Sequence, residues 1–136
     1  MQGSVPKSLK RVLVIDDYFL NRELAVDLVK MLGFSVDAAA TSSEAMTLFL
    51  KYHYDLVLMD IEMPGMDGYQ LTEEIRKVKK EIKIVAFTAY AMPGDKEKCL
   101  NAGMDDYLSK PVEIDQFERI LLKHLDENLN KGGSIC

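Results

Sequence analysis

Short apolar runs alternate along the chain with longer segments in which apolar residues recur every three or four positions. The runs occupy residues 11–15, 34–38, 56–59, 82–87 and 107–108. Short apolar runs bounded by turn residues are typical of buried strands, whereas the longer spacing is typical of amphipathic helices. The alternation predicts βαβ units, in which right-handed crossovers place helices on both faces of a parallel sheet. The expected fold is therefore α/β, a doubly wound (βα)5 domain with five parallel strands.

Five helices are predicted from the apolar spacing and from capping residues. The first carries Leu24, Leu28 and Leu32 and ends at Gly33, and the second follows a cap at Thr41. The fourth is short and ends near residue 102. The other apolar helix positions are, in chain order, Ala45, Leu48, Phe49, Tyr52, Leu71, Ile75, Val78, Phe117, Ile120 and Leu121.

Chemically active side chains stand where the predicted strands end. Asp16 and Asp17 close the first strand, Asp60 closes the third, Thr88 closes the fourth and Lys110 follows the fifth. The carboxyl ends of parallel strands meet at one edge of the sheet, which is the usual ligand site of open α/β folds. Carboxylates crowded there repel one another unless a cation neutralises them, and an oxygen ligand set without His or Cys favours Mg²⁺. The pattern predicts a metal or phosphoryl-chemistry site.

Length and charge narrow the class of protein. The 136 residues are 48% hydrophobic, which fits one domain over residues 9–126 with flexible ends at residues 1–8 and 127–136. The net charge of -5 argues against nucleic-acid binding by this chain, since that needs a basic patch. No apolar stretch approaches the ~20 residues that cross a bilayer, and residues 1–7 lack the apolar stretch expected of a secretory signal. We expect a cytoplasmic protein that does not bind membranes, with Cys99 and Cys136 as free thiols.

Four motifs at the strand ends together closely resemble the receiver domain of two-component response regulators. The motifs are Val14-Ile15-Asp16-Asp17, residues 58–68, Ala86-Phe87-Thr88-Ala89 and residues 103–111. The resemblance spans roughly residues 9–125. It implies a flavodoxin-like, CheY-like sheet with strand order 2-1-3-4-5.

The resemblance implies which residues bind metal and phosphate. Asp60 is the expected phosphoacceptor, which takes a phosphoryl group from a phosphohistidine donor. Mg²⁺ is expected on the side chains of Asp17 and Asp60 and on the backbone carbonyl of Glu62, with Asp16 bound to it directly or through water. The expected donor is a sensor histidine kinase or a histidine-phosphotransfer domain. The chain would then be a signalling phosphoacceptor that catalyses only its own phosphorylation and dephosphorylation.

Further residues are expected to respond to the phosphoryl group. Lys110 would neutralise its charge, and the Thr88 hydroxyl would donate to one of its oxygens. A cis peptide between Lys110 and Pro111 would aim the Lys110 side chain into the site. The movement of Thr88 would open a space that Tyr107 fills, which changes the surface of helix four, strand five and helix five. A homodimer could form through that surface.

The subfamily is indicated by two stretches, residues 21–25 and 89–92, which resemble receivers of hybrid histidine kinases and phosphorelays. Such receivers usually have Asn where this chain has Tyr18. Several polar residues are expected to play no part. Asp105 and Asp106 are predicted to form a solvated turn, and His53 and His124 are predicted to stand without partners.

Two other classes share parts of the pattern. A haloacid-dehalogenase-type phosphatase also uses an aspartyl nucleophile with Mg²⁺, but needs a second Asp two positions later, where this chain has Glu62. A flavodoxin-like cofactor-binding module shares the topology. It needs a Gly-rich or hydroxyl-rich phosphate loop where this chain has Asp16-Asp17-Tyr18.

Overall fold

A computed structural model describes the chain at residues 10–61, 67–89 and 94–125. Strands and helices alternate through these residues. The strands are β1 (Arg11–Ile15), β2 (Ser35–Ala39), β3 (Leu56–Asp60), β4 (Lys83–Thr88) and β5 (Asp106–Ser109). The helices are α1 (Phe19–Met31), α2 (Ser42–Lys51), α3 (Gly68–Val78), α4 (Asp95–Asn101) and α5 (Ile114–Leu125). Glu62, Tyr90 and Cys136 lie outside the described residues.

The five strands form one parallel sheet in the order β2-β1-β3-β4-β5, which confirms the predicted topology. Each face of the sheet packs against its own set of helices. The α1–α5 cluster contains Val14, Ala25, Leu28, Val29, Leu58, Phe87, Phe117 and Leu121. The α2–α4 cluster contains Leu13, Ile15, Phe49, Met59, Leu71, Ile75, Ala86 and Cys99. The helices thus divide between the two faces, as expected for a doubly wound fold, and all five residues of the central strand β3 are buried.

The helices form where the spacing predicts them, but three of the predicted apolar positions are exposed. Leu24, Tyr52 and Val78 are 46%, 42% and 53% exposed. Residues four apart on a helix rotate by about 40° at each step, so a strict four-residue repeat leaves the buried face. On α1 the buried positions are Ala25, Leu28 and Val29.

The prediction of a solvated turn at Asp105 and Asp106 is wrong. Asp106 is a buried residue of β5, and its Oδ2 lies 2.9 Å from Nε2 of His124. Asp105 accepts hydrogen bonds from Arg76 and from the backbone N–H of Ile84. These contacts join residues far apart in the sequence, so local spacing gives no sign of them. His53 Nε2 lies 3.3 Å from Asp55 Oδ1, so the prediction that the two histidines stand without partners is also wrong.

The N-terminus of α3 packs directly on the end of β3. Asp67 caps the helix in a reciprocal capping box with Gln70, and the N–H of Gly68 donates to the Ile61 carbonyl at 2.9 Å. A Cβ on Gly68 would lie 2.7 Å from Ile61 Cα and 2.9 Å from the Asp60 carbonyl oxygen. Glycine is therefore needed for this approach, which sets α3 against the backbone of Asp60.

Candidate functional site

Three carboxylates meet at the carboxyl edge of the sheet. One oxygen from each of Asp16, Asp17 and Asp60 lies within 4.8 Å of the others. Neighbouring strands explain this, because β1 and β3 pair with Ile15 opposite Met59, and the next residue of each strand is an aspartate. Asp16 and Asp60 are 1% and 5% exposed, whereas Asp17 is exposed. The structure thus brings together the three acids singled out in the sequence.

The Lys110 ammonium lies inside this group of acids. Its Nζ is 2.8 Å from Asp16 Oδ2 and 3.6 Å from Asp60 Oδ1. The same Nζ sits 5.0 Å from the centroid of the Phe87 ring, which is a favourable cation–π distance. The Lys110 backbone N–H donates to the Thr88 carbonyl at 2.7 Å, and the Lys110–Pro111 peptide is cis. Lys110 is thus held at its backbone and at its charged end.

Nearly every polar group of Asp16 has a hydrogen-bond partner. Its N–H donates to the Ala39 carbonyl at 3.1 Å, its Oδ1 accepts from the Tyr18 N–H at 2.9 Å, and its carbonyl accepts from Arg22 Nη1 at 2.9 Å. Its Oδ2 is buried and has no hydrogen-bond partner in the described structure. This oxygen forms an ion pair with Lys110 Nζ at 2.8 Å.

The composition of this group fits a hard divalent cation. Its ligands are carboxylate oxygens, and the described cluster contains neither His nor Cys. Among the described residues, three carboxylates lie together beside the Lys110 ammonium, and such a concentration of negative charge favours a divalent cation. The buried Oδ2 of Asp16 faces the Lys110 ammonium and accepts no hydrogen bond from the described residues. Oxygen ligands of this kind are those that Mg²⁺ prefers.

Thr88 and Tyr107 lie on the strands beside the acids. Thr88 ends β4, next to the strand that carries Asp60, and is 1% exposed. Tyr107 is half-buried in β5 and packs against the α2–α4 cluster. Glu62, which the resemblance gave a ligand role through its carbonyl, lies outside the described residues.

Two side chains at the site are not identified by the sequence motifs as having a role. Arg22 contacts the Asp16 backbone from the first turns of α1, and the Phe87 ring lies beneath the Lys110 ammonium. Arg22 belongs to the stretch 21–25 that indicates the subfamily, but that resemblance gives it no role, and a basic residue six positions after an acidic strand end is a weak signal. Phe87 looks like any apolar residue of a buried strand.

The sequence of the chain is similar to known signalling proteins. A family model described as "Response regulator receiver domain" matches residues 12–122. The sensor histidine kinase RcsC of Escherichia coli K12 is 40% identical over 110 residues, which cover 81% of this chain and 12% of that protein. The sensor protein GacS of Pseudomonas syringae pv. syringae is 42% identical over 118 residues, 83% of this chain and 13% of that protein. The chain thus spans about an eighth of the length of these relatives.

Solved structures share the fold. The response regulator protein TrrA of Thermotoga maritima, in complex with Mg(2+)-BeF, superposes with a TM-score of 0.78 at 38% identity, over 86% of this chain and all of that one (100%). A CheY-like receiver domain protein from Methanospirillum hungatei gives a TM-score of 0.81 at 31% identity, over 91% and 99%. Within the described residues, no helix has the length and apolar character to span a bilayer.

Proposed function

Because the chain belongs to the response regulator receiver domain family, we propose that Asp60 accepts a phosphoryl group from a phosphohistidine. The donor is a sensor histidine kinase or a histidine-phosphotransfer domain, which accords with the histidine kinases among its relatives. The observation that carries the proposal is the meeting of buried Asp60 with two further acids and the Lys110 ammonium at one sheet edge.

The proposed reaction uses the Asp60 carboxylate as nucleophile. One of its oxygens bonds to phosphorus while the bond from phosphorus to the imidazole nitrogen breaks. The nitrogen keeps the electron pair and can take a proton from solvent. Phosphoryl transfer needs an in-line oxygen nucleophile and positive charge around the phosphoryl oxygens. The Lys110 ammonium, 3.6 Å from Asp60 Oδ1, provides such a charge from the chain itself.

The proposal includes Mg²⁺ as the cofactor. The side chains of Asp16, Asp17 and Asp60 and the backbone carbonyl of Glu62 would hold it. When bound, it supplies the positive charge that a phosphoryl group on Asp60 requires. The composition of the acid group supports this assignment, as does the Mg(2+)-BeF complex of the similar protein TrrA.

Phosphorylation is proposed to act on the protein surface through Thr88 and Tyr107. The Thr88 hydroxyl donates to the new phosphoryl group, and its shift makes room for the half-buried Tyr107 ring to move inward. Such a change biases two arrangements of the same chain, which is how covalent phosphate usually switches a protein. The altered surface is that of α4, β5 and α5, through which two copies could also pair. On this proposal the domain acts on its own aspartate and turns over no separate substrate.

Intact mass spectrometry after incubation with acetyl phosphate and MgCl2 tests the function. We expect one phosphoryl adduct on the full chain and none on Asp60→Asn. Asp67→Asn is a matched control, because it changes an acid in the same region while keeping a side chain that caps α3.

Three outcomes contradict the proposal. Wild-type levels of adduct on Asp60→Asn would remove Asp60 as the nucleophile. Continuous hydrolysis of acetyl phosphate without an adduct would instead favour the phosphatase class. A yellow cofactor that copurifies with the chain would favour the flavin class.

A further inference from the structure

We propose that Arg22 is a positioning residue for the cation site, where it fixes the direction in which Asp16 and Asp17 present their carboxylates. The inference rests on the proposed function, since it concerns the affinity of that site for Mg²⁺. Arg22 is half-buried and contacts the site through the Asp16 backbone carbonyl.

Arg22 lies in helix α1, and its side chain contacts another residue of that helix. Its own N–H donates to the Tyr18 carbonyl at 3.0 Å, which makes it part of the first turns of α1. Its guanidinium carbon lies 5.6 Å from the centroid of the Phe19 ring, within cation–π range. From this position Nη1 donates to the Asp16 carbonyl at 2.9 Å. The helix thus holds the loop that precedes it.

The hydrogen bond from Arg22 acts on the peptide that joins two of the proposed ligands. The Asp16 carbonyl belongs to the peptide plane between Asp16 and Asp17, and a peptide plane rotates as a unit. Because the Asp16 N–H and Oδ1 are also hydrogen-bonded, fixing this carbonyl leaves Oδ2 as the oxygen directed to Lys110. Ligand groups fixed by such outer contacts bind metals more tightly.

The charge of Arg22 and its positioning role have opposite effects on metal affinity. A guanidinium near an acidic group repels a divalent cation, so its removal would strengthen Mg²⁺ binding if charge were all that mattered. Loss of positioning would weaken binding instead. The direction of the change on substitution therefore separates the two.

The test is calorimetric titration of the full chain with MgCl2. We expect Arg22→Ala to raise the Mg²⁺ dissociation constant about 10-fold, the lower end of the effect of losing an outer contact at a metal site. Arg22→Lys, which keeps the charge and one donor group, should fall between the two. Arg119→Ala is the control, because it removes an exposed arginine of α5 with the same change of net charge.

A second measurement requires no metal. The Tyr18 N–H donates to Asp16 Oδ1, so its hydrogen-exchange protection reports whether Asp16 keeps its orientation. Without metal, we expect protection of the Tyr18 amide to fall about 10-fold in Arg22→Ala, as for the loss of about 1.4 kcal/mol, and to stay unchanged in Arg119→Ala. If Arg22→Ala does not fold, Arg22→Lys and Phe19→Leu carry both measurements.

The outcomes separate this inference from the proposed function. Equal or tighter Mg²⁺ binding by folded Arg22 variants, while the wild type binds Mg²⁺, overturns the positioning role alone. Failure of the wild type to bind Mg²⁺ overturns the metal site and the inference together. Weaker binding with lost Tyr18 protection supports the positioning role.

Discussion

Lys110 is the residue that compensates part of the negative charge at the sheet edge. Asp16 is 1% exposed, and a buried carboxylate is costly unless a partner or hydrogen bonds stabilise it. The Lys110 ammonium, 11% exposed at the level of its side chain, is the cation paired with Asp16 in the described structure. Its packing on the Phe87 ring keeps it there.

Replacing Lys110 should therefore destabilise the metal-free protein. Lys110→Met keeps an unbranched side chain but leaves the buried Asp16 carboxylate without its ion pair. We expect a loss of about 2 kcal/mol in the free energy of unfolding. This is less than the usual cost of breaking a fully buried ion pair, because the neighbouring Asp17 is exposed to water. Urea denaturation measures the loss. Lys30→Met on α1, which changes an exposed lysine, is the control, and an equal effect in both variants would contradict the role of the Lys110 pair.

At the level of single residues, the sequence predicts that the three aspartates meet, but it does not predict which side chains contact them. Asp16, Asp17 and Asp60 follow recognisable apolar strands, so their convergence can be predicted from strand ends alone. The contact of Arg22 with a backbone carbonyl depends on how α1 packs. The pairing of His124 with Asp106 likewise requires α5 to lie against β5, which local spacing does not specify.

Helix α3 approaches the end of β3 closely at Gly68, so a substitution there tests whether the helix positions Asp60. Gly68→Ala would place a methyl carbon 2.7 Å from Ile61 Cα and 2.9 Å from the Asp60 carbonyl oxygen, which is closer than van der Waals contact. Relief of this clash requires a shift of the helix or the strand. We expect a loss of about 2 kcal/mol in stability, as for an overpacked core, and slower phosphoryl uptake from acetyl phosphate.

Gly94→Ala is the matched comparison. Gly94 has a φ of +93°, so alanine is strained there, but a Cβ at this position meets nothing within 4 Å. It should lose about 1 kcal/mol of stability without slowing phosphoryl uptake. Unchanged uptake in a folded Gly68→Ala protein would show that the contact does not position Asp60.

Asp106 of β5 contacts His124 of α5, and this contact should make the stability of the protein depend on pH. Burial raises the pKa of the Asp106 carboxyl, but His124, the Tyr107 N–H and Lys123 together outweigh it and hold the pKa below its usual 3.8. A carboxyl with a lowered folded pKa contributes stability above its unfolded pKa and loses it as pH falls through the folded value.

Comparison of Asp106→Asn with the wild type measures this contribution. Between pH 6 and about pH 4 the variant should be less stable by about 2 kcal/mol, the worth of hydrogen bonds to a charged group. Below about pH 4 the difference should shrink as the wild-type carboxyl takes up its proton. Asp115→Asn, an exposed acid on α5, serves as control. A difference that is constant down to pH 3 would contradict the assignment.

The spacing of apolar residues predicts where each strand and helix forms, but it predicts less well which face of a helix is buried. The bounds of β1 agree with the predicted residues 11–15, and those of β2 are shifted by one residue. The buried face of a helix differs from the predicted one where a four-residue repeat of apolar residues includes an exposed position, such as Leu24. On α1, exposed Leu24 and buried Leu28 are both apolar, and only the packing of the helix on the sheet decides which of them is buried.

At the scale of the whole molecule, the described acids should make the folded state sensitive to divalent cations. A ligand that binds only the folded protein stabilises it by mass action. At a free Mg²⁺ concentration of about ten times the dissociation constant, the gain is about 1.4 kcal/mol. For a domain of this size, that raises the melting temperature by roughly 5 °C.

Thermal melts with MgCl2 and with NaCl at equal ionic strength provide the measurement. Asp17→Asn, which removes the exposed ligand of the three, should show a smaller rise. An equal rise in both salts would mean that the effect is ionic strength and not a bound cation.

The doubly wound parallel sheet is the global property that sequence reasoning predicts best, because strands that alternate with helices admit few parallel arrangements. The strand order 2-1-3-4-5, which the structure also has, is what the resemblance to receiver domains implies. The same reasoning does not assign the contacts across the interior. Those follow from which side chains alternate onto each face, such as Phe87 on one side and Ala86 on the other.

Because of that alternation, side chains near the charged edge of the sheet pack into both hydrophobic layers. Phe87, under the Lys110 ammonium, belongs to the hydrophobic layer shared with α1 and α5, whereas Tyr107 packs in the opposite layer with α2, α3 and α4. On the proposed function, a displacement of Lys110 would act on one layer, whereas a turn of the Tyr107 ring would act on the other. Probes attached to only one side of the sheet would therefore report half of the response to a new charge at its rim.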